Sequence, residues 1–246
     1  AHGGRVTARL SGHGTDTAQS AELSRGTAKL DLRPQQPKHW SPESPALYDL
    51  TIDLLDDQGG VIDHVQQKIG LREIRVDGTS LLLNDEPIEL RGFGKHEDSP
   101  LHGRGLNLPQ LVKDFALLKW IGANSVRTSH YPYAEEFLDM ADAMGILVID
   151  EVFSINLDFR LVNDAVLENH KQAVSELIAR DNNRTCVIAW SLSNEPGYLA
   201  EPEYRECSGA YWKSLFAHAR SLDPSRPMTH ANVGYAGNDD PAFKEA

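Results

Sequence analysis

An apolar segment of this sequence ends abruptly in the polar residues Asn194 and Glu195, which precede Pro196. The segment, residues 186–192, is too apolar to be half-exposed and predicts a strand covered on both faces. Ligands of α/β folds bind at the carboxyl ends of such strands, because the loops there converge on a rigid sheet. A carboxyl group there is a candidate general acid. The structural alternative is that Glu195 caps the next helix and Asn194 only forms a turn.

Other polar side chains also follow predicted strands. Arg127 ends one strand, and His130 and Tyr131 follow it in a Ser-His-Tyr-Pro loop, whereas Asp150 and Glu151 end the next strand. Several successive strands thus contribute chemically capable groups at the same end. That pattern is typical of a barrel of parallel strands with its site at the carboxyl-terminal face.

A third polar loop holds residues that could be interpreted as metal ligands, namely His96, Glu97, Asp98 and His102. Their spacing matches no common zinc site. We therefore interpret the loop as the rim of the site and expect neither a metal nor another cofactor.

These residues are positioned by alternating strands and helices. The predicted strands end near residue 93 and span residues 124–128, 146–149, 186–192 and 227–230, and the predicted helices span residues 109–121, 134–144, 165–180 and 203–222, with another beginning at Asp240. Such alternation predicts right-handed crossovers and a parallel sheet, either doubly wound or closed as a (β/α)8 barrel. No glycine-rich phosphate loop follows the first strand, which favours the barrel. The strands are too few to complete it.

The first part of the chain has a different pattern of apolar and polar residues. Residues 6–10, 28–32, 47–54 and 61–69 have the alternating pattern of strands. We expect an incomplete immunoglobulin-like β-sandwich at residues 1–76 and part of a TIM-barrel catalytic domain at residues 77–246. The predicted class is α/β: a partial (β/α)8 TIM barrel after an incomplete immunoglobulin-like β-sandwich, so the chain is expected to be a fragment.

Composition limits the partners. The 246 residues carry a formal net charge of -12, which argues against nucleic acid and anionic membranes, since both require a basic surface. Neither a signal peptide nor a membrane span is apparent. Cys186 and Cys207 have no metal-ligand spacing and are expected to be free thiols. Two cysteines fit a reducing compartment, so a cytoplasmic location is expected.

Four motifs follow one another in the chain: Gly-Phe-Gly-Lys-His-Glu-Asp (92–98), Gly-Ala-Asn-Ser-Val-Arg-Thr-Ser-His-Tyr-Pro-Tyr (122–133), Val-Ile-Asp-Glu (148–151) and Trp-Ser-Leu-Ser-Asn-Glu-Pro (190–196). In this order they resemble the motifs of glycoside hydrolase family 2. Residues 70–74 resemble the segment that joins the family's sandwich to its barrel. Within the family the likeness is strongest to the β-glucuronidases.

The resemblance implies a retaining glycosidase that needs no cofactor and acts on β-glucuronides. It gives Glu195 the acid/base role and Asn194 a hydrogen bond to the 2-hydroxyl group of the sugar. It places Arg127 near the nucleophile, with a salt bridge to Asp150 or Glu151 as the alternative. It places His130 and Tyr131 beside the sugar subsite.

The family's nucleophile comes from a later strand, and no such segment occurs in this sequence. Glu151 is not expected to replace it; Asp150 and Glu151 are interpreted as structural carboxylates around the site. The fragment alone is therefore expected to be inactive. Two alternatives remain open: a β-galactosidase of the same family, and a non-catalytic carbohydrate-binding or assembly module. An open barrel also exposes strand edges, so homo-oligomers are possible.

Overall fold

The computed structural model describes residues 4–101, 103–196 and 205–231, without the side chains of residues 205–207. The predicted helix start at Asp240 and the candidate rim residue His102 lie outside this part. The chain divides into two compact units, Ala1–Arg72 and Glu73–Ala246.

The first unit contains a four-stranded antiparallel sheet. Its strands are β1 (Arg5–Gly12), β2 (Thr15–Glu22), β3 (Leu47–Leu55) and β4 (Val61–Gly70), arranged in the order β2-β1-β3-β4. Trp40 and Tyr48 are fully buried in this unit. The Tyr48 hydroxyl accepts a hydrogen bond from the backbone N–H of Lys38 at 2.7 Å, which fixes the connection between β2 and β3.

The position of the second strand differs from the prediction. β2 pairs with β1 from Gly12 opposite Thr15 to Arg5 opposite Glu22, and residues 28–32 form no strand. Its sequence is almost entirely polar because neither face is deeply buried. The two-residue turn that joins the strands contains His13 at φ 49°, as in a type I′ hairpin. Turn geometry, rather than an apolar pattern, therefore specifies this strand.

The second unit begins with a small antiparallel sheet of β5 (Ile74–Asp77), β6 (Ser80–Leu83) and β7 (Glu86–Pro87), in the order β5-β6-β7. The boundary expected after residue 76 falls inside β5, which pairs with β6 and lies in the second unit, Glu73–Ala246.

The main sheet of the second unit has the strand order β14-β13-β12-β11-β8, and every pair in it is parallel. The remaining elements, in chain order, are β8 (Gly92–Lys95), β9 (Asp98–Ser99), β10 (Gly103–Arg104), α1 (Leu108–Trp120), β11 (Ser125–Thr128), α2 (Glu135–Met144), β12 (Leu147–Glu151), α3 (Asp164–Asp181), β13 (Val187–Asn194), α4 (Arg205–Leu222) and β14 (Met228–Ala231). Successive strands are neighbours, each joined to the next through a helix, as the alternation predicts.

Local sequence explains where the helices begin and end. Asn107 and Asn163 cap α1 and α3, because their side-chain oxygens accept from the backbone N–H groups of Gln110 and Val166. Gly145 ends α2 in the left-handed conformation at φ 68°. Among the helices of the described ranges, none is both long and apolar enough to span a membrane.

All eight residues of β13 are buried, and their amino-terminal end is held by an arginine. Arg226 donates to the carbonyl oxygens of Val187 and Asn182 and to the carboxylate of Asp223 at 2.6 Å. Trp190 also donates to Asp223, at 2.9 Å. Burial by itself raises the pKa of Asp223, but these donors and Ser225 lower it to about 2.

The first prediction concerns the packing of β8 against β11. A Cβ atom on Gly92 would lie 1.8 Å from the carbonyl oxygen of Ser125, whereas one on Gly105 would have nothing within 4 Å. We expect Gly92→Ala to lower the free energy of unfolding by about 2 kcal/mol through overpacking. Gly105→Ala should change it by less than about 0.5 kcal/mol. Urea denaturation followed by circular dichroism measures both changes. Equal denaturation midpoints for the two variants would contradict the close packing of β8 against β11.

Candidate active site

Three neighbouring strands bring polar side chains together at their carboxyl ends. Arg127 of β11, Glu151 of β12 and Asn194 of β13 are each at or next to the last residue of their strand. The strands are adjacent and parallel, so these ends lie along one edge of the sheet. The contacts among them define the candidate site.

Glu151 is the centre of these contacts, and its side chain is 0% exposed. Its Oε2 atom accepts from Arg127 Nη1 at 2.7 Å and from the Ser191 hydroxyl at 2.5 Å. Its Oε1 atom lies 2.9 Å from His130 Nδ1. Arg127 Nη1 also lies 3.3 Å from Asn194 Oδ1. One buried carboxylate thus joins three predicted site residues, directly or through Arg127.

The backbone fixes Asn194 and Glu195 at the end of β13. The Asn194 N–H donates to Ser154 at 2.7 Å, and its carbonyl oxygen accepts from Asn156 at 2.9 Å. The Glu195 N–H donates to Ala231 at 2.7 Å. Glu195 is half-buried and adopts φ 49°, a left-handed conformation that costs about 1 kcal/mol for a non-glycine residue. Such strain is concentrated at functional sites.

Tyr131 lies beside His130 in the loop after β11 and contacts the loop that follows β8. Its hydroxyl accepts from the backbone N–H of Glu97 at 3.1 Å, and the Arg104 guanidinium lies 3.6 Å from its ring centroid. The rings of His96 and His130 meet edge to face at 5.2 Å. The Ser-His-Tyr-Pro loop is therefore packed against the rim loop on one side and joined to Glu151 on the other.

The rim loop itself has clear structural contacts. The Glu97 carboxylate accepts from the backbone N–H of Ala134 and so caps α2, whose own N-cap side chain makes no such bond. Lys95 forms an ion pair with Asp114 at 3.0 Å. A cavity of about 350 Å³ opens beside this loop, and its lining includes His96, Asp98, Asn107, Gln110 and Phe137. In the described part of the chain, no three His, Cys, Asp or Glu side chains are grouped as a metal site would need.

Asp150, next to Glu151, has a different environment. Its Oδ1 atom accepts from the Thr128 hydroxyl at 2.9 Å, whereas Arg127 and His130 are hydrogen-bonded to Glu151. Burial, together with the neighbouring Asp181 carboxylate, raises the pKa of Asp150 well above its ordinary value. The two carboxyl groups that end β12 thus differ: Glu151 faces the Arg127 cation, whereas Asp150 lies near a second carboxylate, that of Asp181.

The structure brings together most of the residues that the sequence singles out. Arg127, His130 and Asn194 are linked through Glu151, and the Arg127–Glu151 ion pair is the alternative that the sequence analysis left open. Glu195 follows Asn194 directly, and Tyr131 follows His130.

Sequence reasoning missed two contacts. Ser191 lies in the middle of the apolar run, and a buried hydroxyl needs a hydrogen-bond partner, which was an available signal. Arg104 gave no signal, since its stacking on Tyr131 depends on the fold of the β9–β10 hairpin.

Comparisons with known proteins identify the family of the chain. The family model described as "Glycosyl hydrolases family 2, TIM barrel domain" matches residues 74–244, and the one described as "Glycosyl hydrolases family 2" matches residues 3–72. A β-glucuronidase from Paenibacillus borealis is 42% identical over 236 residues, which are 92% of this chain and 38% of that protein. The Homo sapiens β-glucuronidase is 42% identical over 201 residues, which are 80% of this chain and 30% of that protein.

Two solved structures have the same fold. The β-glucuronidase of Bifidobacterium dentium complexed with coumarin-3-O-glucuronide superimposes with a TM-score of 0.84 at 37% identity and covers 92% of this chain and 38% of its own. That of Ruminococcus gnavus in complex with D-glucaro 1,5-lactone gives 0.82 at 38% identity, over 96% of this chain and 39% of its own. The chain thus spans less than two fifths of these relatives. The predicted fold class, part of a TIM barrel after part of an immunoglobulin-like sandwich, is confirmed.

The second prediction concerns the buried Asp150. Since its pKa is raised in the folded state, the folded protein retains a proton that the unfolded chain loses above a pH of about 4. The contribution of Asp150 to the free energy of unfolding is therefore fully present below that pH. It is lost as the pH rises towards the pKa of Asp150 in the folded protein. Asp150→Asn removes this titration.

We therefore expect the free energy of unfolding of Asp150→Asn, relative to the unaltered chain, to rise between pH 4 and pH 8 by about 1 kcal/mol or more. Urea titrations at pH 4, 6 and 8 measure this difference. A difference that stays constant with pH would show that Asp150 is ionised in the folded protein.

Proposed function

This chain belongs to glycosyl hydrolase family 2, and we propose that the full-length protein containing it hydrolyses β-D-glucuronides with retention of configuration. The relatives named above are β-glucuronidases, and one of their structures holds a glucuronide. The observation that carries the proposal is that Asn194, the last residue of a fully buried strand and the neighbour of Glu195, lies 3.3 Å from the Arg127 Nη1 atom that pairs with Glu151.

In the proposed reaction Glu195 is the acid/base residue. In the first step its carboxylic acid gives a proton to the glycosidic oxygen while the bond from that oxygen to the anomeric carbon breaks. A second carboxylate attacks the same carbon and forms a glycosyl ester. In the second step the Glu195 carboxylate takes a proton from water, the water oxygen displaces the ester, and Glu195 is again protonated.

Asn194 is proposed to bind the 2-hydroxyl group of the sugar. Its Oδ1 atom faces Arg127, so its Nδ2–H group is the one left to donate to the 2-hydroxyl oxygen. Hydrogen bonds at this hydroxyl strengthen as the oxocarbenium-like transition state forms, and such bonds accelerate the reaction. His130 and Tyr131 are proposed to border the sugar from the neighbouring loop.

The second carboxylate is proposed to come from a part of the full-length protein outside these 246 residues. Retention requires the two carboxyl groups to lie about 5 Å apart, with the nucleophile open to the anomeric carbon. Glu151 is fully buried, and both of its oxygens already accept hydrogen bonds. Glu151 is therefore not proposed as the nucleophile, and the proposed contribution of this chain is the acid/base group.

The third prediction tests the role of Glu195 in the full-length protein. Glu195→Gln should lower kcat/KM by about 10³-fold on an alkyl β-glucuronide, because no acid then protonates the leaving oxygen. On a nitrophenyl β-glucuronide the loss in the bond-breaking step should be smaller, since that leaving group departs without a proton. Steady-state kinetics measure both substrates.

Glu168→Gln on the exposed surface of α3 is the matched control and should leave both rates unchanged. Equal activity of Glu195→Gln and the unaltered protein would disprove the acid role. Faster turnover of a β-galactoside than of a β-glucuronide would redirect the substrate assignment within the family.

The fourth prediction concerns the 246-residue chain alone. We expect it to release no nitrophenol from nitrophenyl β-glucuronide above the rate in buffer, because one of two cooperating carboxylates is missing. Turnover that disappears in Glu195→Gln would contradict this. Calorimetry of the 246-residue chain with D-glucaro 1,5-lactone tests the alternative of a carbohydrate-binding module. That alternative requires tight binding of the lactone that is lost when Asn194 is replaced.

A further inference from the structure

The three donors on Glu151 come from three different segments of the chain. Arg127 belongs to β11, His130 to the loop after it, and Ser191 to the middle of β13. The receiving side chain is 0% exposed, whereas Arg127 and His130 are 24% and 20% exposed at the site. Glu151 is therefore more deeply buried than Arg127 and His130, the two partly exposed residues that it contacts directly.

A carboxylate without water is stable only if charge and hydrogen bonds replace its hydration. Here Arg127 supplies the charge, and Ser191 and His130 supply further donors, so both oxygens of Glu151 are satisfied. The same bonds constrain the donors, because a guanidinium and an imidazole that serve a fixed buried acceptor lose their rotational freedom. Arg127 keeps Nη1 within 3.3 Å of Asn194 Oδ1 in this arrangement.

The contact also determines the tautomer of His130. An ionised carboxylate only accepts hydrogen bonds, so the hydrogen of the neutral imidazole must reside on Nδ1, 2.9 Å from Glu151 Oε1. Nε2 is then the unprotonated ring nitrogen, on a side chain that is 20% exposed. A carboxylate behind a histidine has this orienting effect in other enzymes.

We propose that Glu151 is a positioning residue of the site: it holds Arg127 and His130 in their working orientations and directs Nε2 of His130 to accept from the substrate. This inference rests on the proposed function, since it assigns Glu151 to the same hydrolytic site. Glu151 itself does not touch the substrate.

The fifth prediction uses Glu151→Gln in the full-length protein. Glutamine has the same shape but presents one N–H₂ group, so either Arg127 or His130 faces a donor instead of an acceptor. We expect kcat on nitrophenyl β-glucuronide to fall about 10- to 100-fold, by analogy with the loss of a partner that orients a metal-ligating histidine, with KM changed less than about 3-fold. In a His130→Asn background the same substitution should cost at least about 5-fold less, because one group through which it acts is absent.

Asp150→Asn is the matched control: it alters the adjacent carboxyl group, which accepts from Thr128 while Arg127 and His130 bond to Glu151, and it should leave kcat unchanged. If Glu151→Gln does not fold, Ser191→Ala removes one donor from the same oxygen and should lower kcat about 3-fold. A fully active Glu151→Gln, or, if it does not fold, a fully active Ser191→Ala, overturns the proposal. The proposal is also overturned if the losses of kcat caused by Glu151→Gln and His130→Asn are additive, because additivity indicates a purely structural role.

The ring nitrogens of His130 provide a readout that needs no turnover. In ¹⁵N spectra, with the signals assigned by their loss in His130→Asn, Nδ1 should be protonated and Nε2 bare, and Glu151→Gln should weaken or reverse this preference. If the unaltered full-length protein does not hydrolyse β-glucuronides, the proposed function fails, and these spectra alone decide whether Glu151 orients His130. An unchanged tautomer in a folded Glu151→Gln protein overturns the positioning role.

Discussion

A carboxylate removed from water is the constraint on which this site depends. The Glu151 side chain is fully buried at the end of β12, and its charge is compensated by Arg127 on one side and by hydrogen bonds from His130 and Ser191. Removing one partner leaves an uncompensated charge, a costly change in a low-dielectric interior. The ends of β11, β12 and β13 are thereby fixed relative to one another, and Asn194 with them.

Much of this arrangement was predictable because parallel α/β folds follow simple rules. Alternating apolar strands and amphipathic helices, with asparagine caps before α1 and α3 and a glycine after α2, indicate where each element lies. Residues at the carboxyl ends of successive strands must then meet. The grouping of Arg127, His130 and Asn194 follows from that rule, and their order in the chain matches one family.

Other features depend on information that a local pattern does not contain. β2 is polar on both faces, so no alternation marks it, and its register is given by the turn before it. Whether Arg127 pairs with Glu151 or with a partner on the substrate side can be decided only from side-chain positions, which a sequence pattern does not give. The opposite environments of Asp150 and Glu151, neighbours in sequence, arise because adjacent strand residues face opposite sides of the sheet.

The two ends of β13 make different kinds of contact. At its amino end Arg226 bonds the backbone of Val187 and Asn182 and, through Asp223, is connected to Trp190, while the groups proposed for chemistry lie at the other end. The fastening of the strand and the proposed chemistry therefore depend on different residues. Substitutions in the loops at the carboxyl end therefore leave the hydrogen bonds that fasten the amino end of the strand intact.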